Sequence, residues 1–332
     1  MKGVILAAGR GKRLNPLTSR RPKHLLPIID KPLIRKVVEA VAETGINDIC
    51  IVVGYGSEKI IEALKNFTKI NITFAVQREQ LGTADALLSA ESFLKDADKF
   101  LVVYGDLTLE PQPLKELIKI VDLGYDGGII GIKHSEGKRF GVISLKNGML
   151  ERIVEKPDTV VSTALINSGI YVLPREVLEA ARRISKSIRG EYELTDAVTK
   201  LVEDGYRIAV HVVEGEWWLD VGRPSDLLIA NLRNLSNSYI HNDAKISNEA
   251  VIQSSVIMKD VKVDQKANIK SSLVLEDAYI RPSVLLNYCI IGEDAEIGDY
   301  SCLNGELSQP IVVGPGVRVP PKTQAPPGTI FQ

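Results

Sequence analysis

The sequence has little cysteine and no long apolar segment. Its three cysteines, Cys50, Cys289 and Cys302, are scattered through apolar, strand-like stretches of a chain of 332 residues. This pattern is typical of small buried side chains in a reducing compartment, and it excludes a disulfide framework or a cysteine metal site. The N-terminal apolar segment is too short for a signal peptide, and no apolar run could span a bilayer. We therefore expect a cytoplasmic protein without a membrane partner.

An excess of charge of one sign is also missing. The 41 Lys and Arg residues nearly balance the 42 Asp and Glu residues, which gives a net charge of −1. This balance excludes a broad electrostatic field for nucleic acid, so any affinity for phosphate must come from a local cluster of cations. The length allows one large domain and a smaller one.

The first thirty residues contain such a cluster. The apolar run 4–8 predicts a strand that is buried on both faces. It ends in a loop where Gly9 and Gly11 remove the side chains that would keep a ligand away from the backbone. Amide hydrogens together with cations suit a polyphosphate, although a tight turn with solvated charges explains the loop about equally well when it is taken alone. The cations of the loop are Arg10, Lys12 and Arg13.

The spacing excludes two common phosphate loops. A Walker loop needs Gly at the position of Leu6 and Ser or Thr at the position of Arg13. A dinucleotide fingerprint needs a third Gly where Leu14 stands. Lys23 follows in a stiff segment, between Pro22 and the apolar run 25–28, and it delivers one ammonium group beside the loop.

The two halves of this stretch resemble the signature of the sugar-1-phosphate nucleotidyltransferases, Leu-Ala-Ala-Gly-x-Gly-x-Arg and then Pro-Lys-x-Leu-Leu-Pro-Ile. The resemblance continues through seven separated motifs to about residue 235. It implies that a nucleoside triphosphate is bound by a first set of residues: Leu6, Ala7, Ala8, Gly9, Gly11, Gln77, Gly82 and Thr83.

The periodicity predicts an α/β fold for residues 1–236. Strands and helices alternate from Lys2 to about Asp106, which indicates parallel β-α-β units. Strands dominate residues 125–213, so we expect a Rossmann-like, mixed, mainly parallel sheet with flanking helices. Ligands bind at the carboxyl ends of such strands, where the loop 9–13, the loop 77–83 and Asp106 are predicted to lie.

Residues 237–332 have a different texture. A 17-residue period aligns small and β-branched residues in four successive coils, which is typical of a hexapeptide β-helix. In the families that this chain resembles, such helices are left-handed. The tail 312–331, rich in Pro and Gly, is predicted to be a terminal cap. The exposed side faces of the coils suit subunit association, so a homo-oligomer is expected.

The segment 76–84 offers a site for a nucleobase. A glutamine amide such as that of Gln77 carries both donors and an acceptor, which can pair with the edge of uracil or thymine. Gly82 would let the backbone approach the same base. A polar loop with a Thr83 helix cap is the alternative, and the resemblance favours the base site. Asp85 follows where relatives often carry Gly or His.

Two carboxylates follow predicted strands, Asp106 after an apolar strand and Asp220 after Trp217-Trp218-Leu219. Mg²⁺ takes one or two carboxylates together with substrate phosphates, whereas an isolated Asp before a turn is more often a turn former. Both positions match the metal ligands of the resembled family, which implies Mg²⁺ as the cofactor.

A further set of residues is implied to contact the sugar 1-phosphate. Glu155 can accept hydrogen bonds from sugar hydroxyls, and Lys156 can bind the phosphate as a compact charge. An exposed ion pair before a proline turn is the alternative. The resembled family uses this whole set around the sugar: Gly141, Glu155, Lys156, Asn167 and Thr195.

These observations predict an enzyme that converts a nucleoside triphosphate and a sugar 1-phosphate into a nucleotide sugar and pyrophosphate. UTP or dTTP with glucose 1-phosphate is favoured; GTP with mannose 1-phosphate is the alternative. A catalytically silent regulatory subunit would have lost the charged groups that this chain retains. The residues expected to carry the reaction are Arg13, Lys23, Asp106, Lys156 and Asp220.

Overall fold

The computed structural model describes residues 1–159, 163–233 and 235–332. Their contacts divide the chain into two compact units. The first unit comprises Met1–Gly9 and Ile34–Trp218, and the second comprises Arg10–Leu33 and Leu219–Gln332. This division differs from the predicted boundary after residue 236, because the signature loop and the helix after Asp220 share a core with the C-terminal coils. That boundary stays a prediction about domains.

The first unit is built on a mixed sheet. Among the described residues it has nine strands, in the order β3-β2-β1-β4-β8-β5-β9-β7-β6. The strands β3, β2, β1 and β4 are parallel, as the β-α-β alternation predicted, and β8 then pairs antiparallel with both β4 and β5. The bounds are β1 Lys2–Ala7, β2 Asp48–Val53, β3 Asn71–Val76, β4 Lys99–Tyr104, β5 Gly127–His134, β6 Gly141–Lys146, β7 Met149–Glu155, β8 Ala164–Pro174 and β9 Ile208–Val213.

Helices flank this sheet, as the α/β pattern predicted. Pro stands at the first position of the helix Pro111–Asp122, and Leu114, Leu117 and Val121 form its buried face. Gly56, in the left-handed region, holds the cap position before the helix Ser57–Leu64. The bounds are α1 Leu33–Ala42, α2 Ser57–Leu64, α3 Thr83–Leu88, α4 Glu91–Leu94, α5 Pro111–Asp122, α6 Val177–Arg183, α7 Leu194–Glu203 and α8 Pro224–Leu232.

The C-terminal part of the second unit is the predicted β-helix, with three parallel sheets among its described residues. The first sheet contains Tyr239–Ile240, Val256–Ile257, Leu273–Val274, Cys289–Ile291, Ile311–Val313 and Ile330–Phe331. The second contains Lys245–Ile246, Lys262–Val263, Tyr279–Ile280, Glu296–Ile297 and Arg318–Val319. The third contains Val251–Gln253, Asn268–Lys270, Leu285–Asn287, Cys302–Asn304 and Gln324–Ala325.

The 17-residue period is the register of these sheets, since Lys245 pairs with Lys262, Lys262 with Tyr279 and Tyr279 with Glu296. Aspartates recur with this period at the corners of the coils. Asp260, Asp277 and Asp294 have φ near +60°, a region that Asp tolerates better than most residues.

The tail that was predicted to be a cap continues the coils instead. Glu296 pairs with Arg318 and Cys302 with Gln324, in the register of the preceding coils. A small turn closed by an isolated bridge between Glu306 and Gln309 lengthens this last full coil and hides the period from the sequence.

The segment Arg10–Leu33 packs within the second unit. It contains two three-residue 3-10 turns, Lys12–Leu14 and Lys23–Leu25, and the short strand pair Pro27–Ile28 and Lys31–Pro32. Its apolar side chains share a buried core with coil residues such as Val256. The signature loop therefore rests on the β-helix.

None of the helices in the described residues has the length and apolarity that a membrane crossing requires.

Candidate active site

Residues from both halves of the signature meet in the second unit. Gly9 and Arg10 are exposed, and Gly11 adopts φ 69°. A Cβ atom at Gly11 would lie 2.7 Å from the Cβ of Lys23, so a larger residue at this position would push the lysine away. The glycine that was predicted to admit a ligand thus also admits the aliphatic part of the Lys23 side chain.

Arg13 and Asp220 lie beside a common glycine. A Cβ atom at Gly222 would be 3.0 Å from Nη2 of Arg13 and 3.0 Å from Oδ2 of Asp220. The amide of Gly222 donates to Oδ2 of Asp226 (3.3 Å), which fixes the turn into α8. The structure therefore brings a cation predicted to bind phosphate close to a carboxylate predicted to bind metal.

In the first unit, the carboxyl ends of the parallel strands lie together. The amide of Gly105 donates to the carbonyl of Leu6 (2.9 Å), and a Cβ atom at Gly105 would lie 2.9 Å from that of Ala7. The carbonyl of Ala8 accepts from Nε2 of Gln80 (2.7 Å). Asp106 follows directly and is half-buried. The residues of β1 that were predicted to bind the nucleotide thus lie at the carboxyl ends of the strands, where ligands bind in such sheets.

Gln77 is almost fully buried at the end of β3. Its backbone amide donates to the carbonyl of Val53 (2.8 Å). Its side-chain Nε2 donates to the carbonyl of Gly82 (3.0 Å) and to Oδ2 of Asp85 (2.8 Å). From the sequence, Gln77 was predicted to offer a donor and an acceptor to a base. In the structure its donors already have partners within the protein. Asp85, noted in the sequence only as a departure, is the partner that the pattern missed.

The packing of the protein itself requires a glycine at position 82. Its φ is 130°, and a Cβ atom there would lie 2.3 Å from the carbonyl oxygen of Tyr192. The amide of Tyr192 donates to the carbonyl of Leu81 (2.7 Å), and Oγ1 of Thr83 accepts from the amide of Leu194 (2.8 Å). Close packing against residues 192–194 therefore requires this glycine, whether or not a base approaches it.

The residues predicted around the sugar converge at the edge of the sheet. Oγ1 of Thr195 donates to Oε2 of Glu155 (3.3 Å), and Nζ of Lys156 lies 3.5 Å from Oε1 of the same carboxylate. A Cβ atom at Gly141 would be 2.9 Å from Oε2 of Glu155. One glycine, one ammonium group and one hydroxyl thus lie around the carboxylate of Glu155.

Asn167 joins this region in a different way. Its Nδ2 donates to Oη of Tyr171 (2.5 Å), and its Oδ1 accepts from the amide of Gly169 (2.9 Å). The register of β8 against β5 shifts between Asn167 and Tyr171, so the side chain supports a bulge. Burial and the neighbouring Tyr171 raise the pKa of Tyr104, whose hydroxyl lies 3.3 Å from that of Tyr171. Both ends of the Asn167 side chain therefore have partners within β8, and its contact with a sugar hydroxyl stays a prediction.

Arg189, near this cluster, was not predicted as a site residue. Nη1 of Arg189 lies 2.9 Å from Oε1 of Glu193 and 3.9 Å from Oε1 of Glu155. Burial and the charge of Glu155 raise the pKa of Glu193, and the same causes raise that of Asp196. Arg189 had no signal in the sequence, because it lies in an irregular segment that only the fold brings to Glu155.

The predicted metal ligands fit Mg²⁺ by their chemistry. Among the described residues no group of three or more His, Cys, Asp or Glu side chains could hold a metal. Asp106 and Asp220 each supply hard carboxylate oxygens, the kind of donor that Mg²⁺ prefers.

Comparison with known proteins adds the family. Residues 2–237 match the nucleotidyl transferase family model, and residues 234–330 match the model of the GMPPB C-terminal domain. The low-salt glycan biosynthesis nucleotidyltransferase Agl11 of Haloferax volcanii is 37% identical over 75% of this chain and 70% of its own length. A bifunctional sugar-1-phosphate nucleotidylyltransferase/acetyltransferase of Sulfurisphaera tokodaii is 40% identical over 71% of this chain but 56% of its own length.

A solved structure agrees with these relatives. A crystal structure from Bacillus anthracis, described as that of a glucose-1-phosphate thymidylyltransferase in complex with sucrose, matches with a TM-score of 0.63 and 29% identity. It covers 71% of this chain and 96% of that one. The fold, the signature and the matched residues agree, and the chain belongs to the nucleotidyl transferase family, within its sugar-1-phosphate nucleotidylyltransferases.

Proposed function

We propose that this protein transfers a nucleotidyl group from UTP or dTTP to a hexose 1-phosphate, with glucose 1-phosphate favoured. The observation that carries the proposal is the pair of Glu155 and Lys156 beside Gly141 and Thr195. An ammonium group suits a phosphate monoester, and the adjacent carboxylate suits the hydroxyls of a sugar. The same protein supplies cations and backbone amides for a polyphosphate at residues 9–13.

The reaction is an in-line displacement at the α-phosphorus. A phosphate oxygen of the sugar 1-phosphate forms the new P–O bond, and the bond to pyrophosphate breaks. The sugar phosphate is already a good nucleophile, so catalysis consists of positioning and charge neutralisation, and no covalent intermediate is needed.

The charged residues divide this work. Arg13 holds the leaving pyrophosphate, because its guanidinium can bind two phosphate oxygens at once. Lys23 neutralises the negative charge that shifts at the α-phosphate, and Lys156 aligns the attacking phosphate. Asp106 and Asp220 would hold Mg²⁺, which supplies positive charge to the reacting phosphates when it is bound.

A second candidate is the transfer of a guanylyl group to mannose 1-phosphate. The match of residues 234–330 to the GMPPB C-terminal domain favours it. A mannose-1-phosphate guanyltransferase of Candida glabrata is also 39% identical over 69% of this chain and 63% of its own length.

A matrix of assays tests the proposal. Pyrophosphate release is measured for UTP, dTTP, GTP, ATP and CTP against the 1-phosphates of glucose, N-acetylglucosamine, mannose and galactose. We expect the highest kcat/KM with UTP or dTTP and glucose 1-phosphate. The highest value with GTP and mannose 1-phosphate would select the second candidate, and no turnover with any pair would contradict both.

A further inference from the structure

The orientation of the Gln77 amide is fixed by its neighbours. One end of the amide faces the carbonyl oxygen of Gly82 and Oδ2 of Asp85, at 3.0 and 2.8 Å. When Asp85 is ionised, both of these groups can accept hydrogen bonds but cannot donate them. The end between them must therefore be the NH₂ group, and the carboxamide oxygen must point the other way.

The frame around this pair is rigid. Asp85 and its neighbour Ala84 lie in α3, where the amide of Ala84 donates to the carbonyl of Tyr192 (2.9 Å). Gln77 itself is bound through its backbone to β2 and is only 5% exposed. A flip of the amide would place its oxygen against two acceptors, which leaves polar groups unpaired and is costly.

The remaining hydrogen-bonding capacity of Gln77 is that of an acceptor. In the part of the chain that the structure describes, both N–H groups of the side chain have partners within the protein. Uracil, thymine and guanine each present a ring N–H donor on their pairing edge, whereas adenine and cytosine present a ring nitrogen that accepts. An oxygen that faces this ring position accepts from the N–H of the first three bases and repels the ring nitrogen of the other two.

We propose that Asp85 is a specificity-determining residue, which turns the amide of Gln77 so that the base site presents an acceptor and selects nucleotides with a ring N–H. The inference rests on the proposed function, since it assigns the nucleobase to Gln77. Asp85 does not touch the base in this scheme. It acts through Gln77, and its effect is confined to the choice among nucleoside triphosphates.

The test is the nucleotide profile of three variants at position 85 with a fixed sugar 1-phosphate. The side chain in Asp85→Asn can donate as well as accept, so the Gln77 amide gains a second stable orientation. We expect the ratio of kcat/KM for UTP to that for ATP to fall by about tenfold or more. Asp85→Glu keeps an acceptor and should retain most of the discrimination. Asp85→Ala also removes the acceptor for the Gln77 amide but introduces no new donor, and alanine is compatible with α3. The ratio of kcat/KM for UTP to that for ATP should therefore fall less than in Asp85→Asn.

Glu79→Gln is the matched control, because it removes one carboxylate from an exposed position in the same loop. Its profile should equal that of the unaltered protein, and melting temperatures confirm that each variant is folded. An equal loss of activity with all five triphosphates in Asp85→Asn and Asp85→Ala would assign Asp85 a purely structural role and overturn the inference. ATP used as well as UTP by the unaltered protein would overturn it too, while nucleotidyl transfer itself would stand. No turnover with any triphosphate would instead contradict the proposed function.

Discussion

The two units hold their functional side chains by different means. In the first unit these side chains, called the sheet edge below, are Gln77, Glu155, Glu193 and Thr195; in the second they belong to the signature loop. At the sheet edge, Gln77 and Thr195 are almost fully buried and are fixed by short-range hydrogen bonds at strand and helix ends. The segment 10–33 has little regular structure, and its cation Arg13 is exposed. That segment is held instead by apolar packing on the β-helix and by Arg21, which bridges two coils.

The contrast shows where each unit is vulnerable. Nε of Arg21 lies 2.6 Å from Glu293, and its Nη2 lies 2.8 Å from Glu276. Burial alone would lower the pKa of Arg21, but the bonds to these two carboxylates outweigh it and raise the pKa. A change in a distant coil can therefore reach the signature loop, whereas the sheet edge depends on its immediate neighbours.

We expect the largest loss of kcat when either of the two predicted metal ligands is replaced. Asp106→Asn and Asp220→Asn should each lower kcat by a factor on the order of 10² or more, since each loses charge stabilisation at the reacting phosphates. Asp243→Asn, in an exposed corner of the coils, is the control. Full activity of both variants, or turnover in excess chelator, would remove the metal role from these residues.

Lys23 should affect mainly the chemical step. Its charge matters most when negative charge shifts in the transition state, so Lys23→Ala should lower kcat by about tenfold or more and change KM for the nucleotide less. Lys65→Ala, at an exposed position after α2, provides the comparison. A rise in KM at constant kcat would make Lys23 a binding residue only.

Arg21 tests the dependence of the loop on the coils. Arg21→Met leaves two half-buried carboxylates without their shared cation, so the free energy of unfolding should fall by about 1–3 kcal/mol. We also expect kcat to fall, because the segment that carries Arg13 and Lys23 loses an anchor. Arg281→Met breaks an ion pair with Glu296 elsewhere on the coils, and it should affect stability alone. Equal kinetics of the two variants would show that the clamp does not position the loop.

The smallest expected effect concerns pH and the sheet edge. Burial and Glu155 raise the pKa of Glu193 above its ordinary 4.5. Just above pH 4.5 the folded protein therefore binds this proton more readily than the unfolded chain. The contribution of Glu193 to the free energy of unfolding must then decrease as pH rises through this window. Urea titrations at several pH values should show a flatter profile for Glu193→Gln than for the exposed control Glu203→Gln; identical profiles would contradict the assignment.

The sequence alone determined the elements whose pattern is local. Alternating apolar runs predicted β1–β4 and their parallel pairing, and the 17-residue period predicted the register of the coils. The signature motif predicted that Lys23 lies beside the loop, and carbons of the Lys23 side chain do lie against Gly11. Local periodicity also has limits, since the lengthened last coil was mistaken for a cap.

Only the tertiary structure decided what each polar side chain does. The bulge in β8 gives both ends of the Asn167 amide partners within the same strand, which the sequence does not indicate. Gln77 offers donors in the sequence, and the carbonyl of Gly82 and Oδ2 of Asp85 accept from them because α3 is folded against the end of β3. Arg21 has no signal beyond its charge until the β-helix brings Glu276 and Glu293 to it, more than 250 positions away in the chain. Sequence patterns specify which face of an element is buried, whereas hydrogen-bond partners depend on distances between elements that no local pattern encodes.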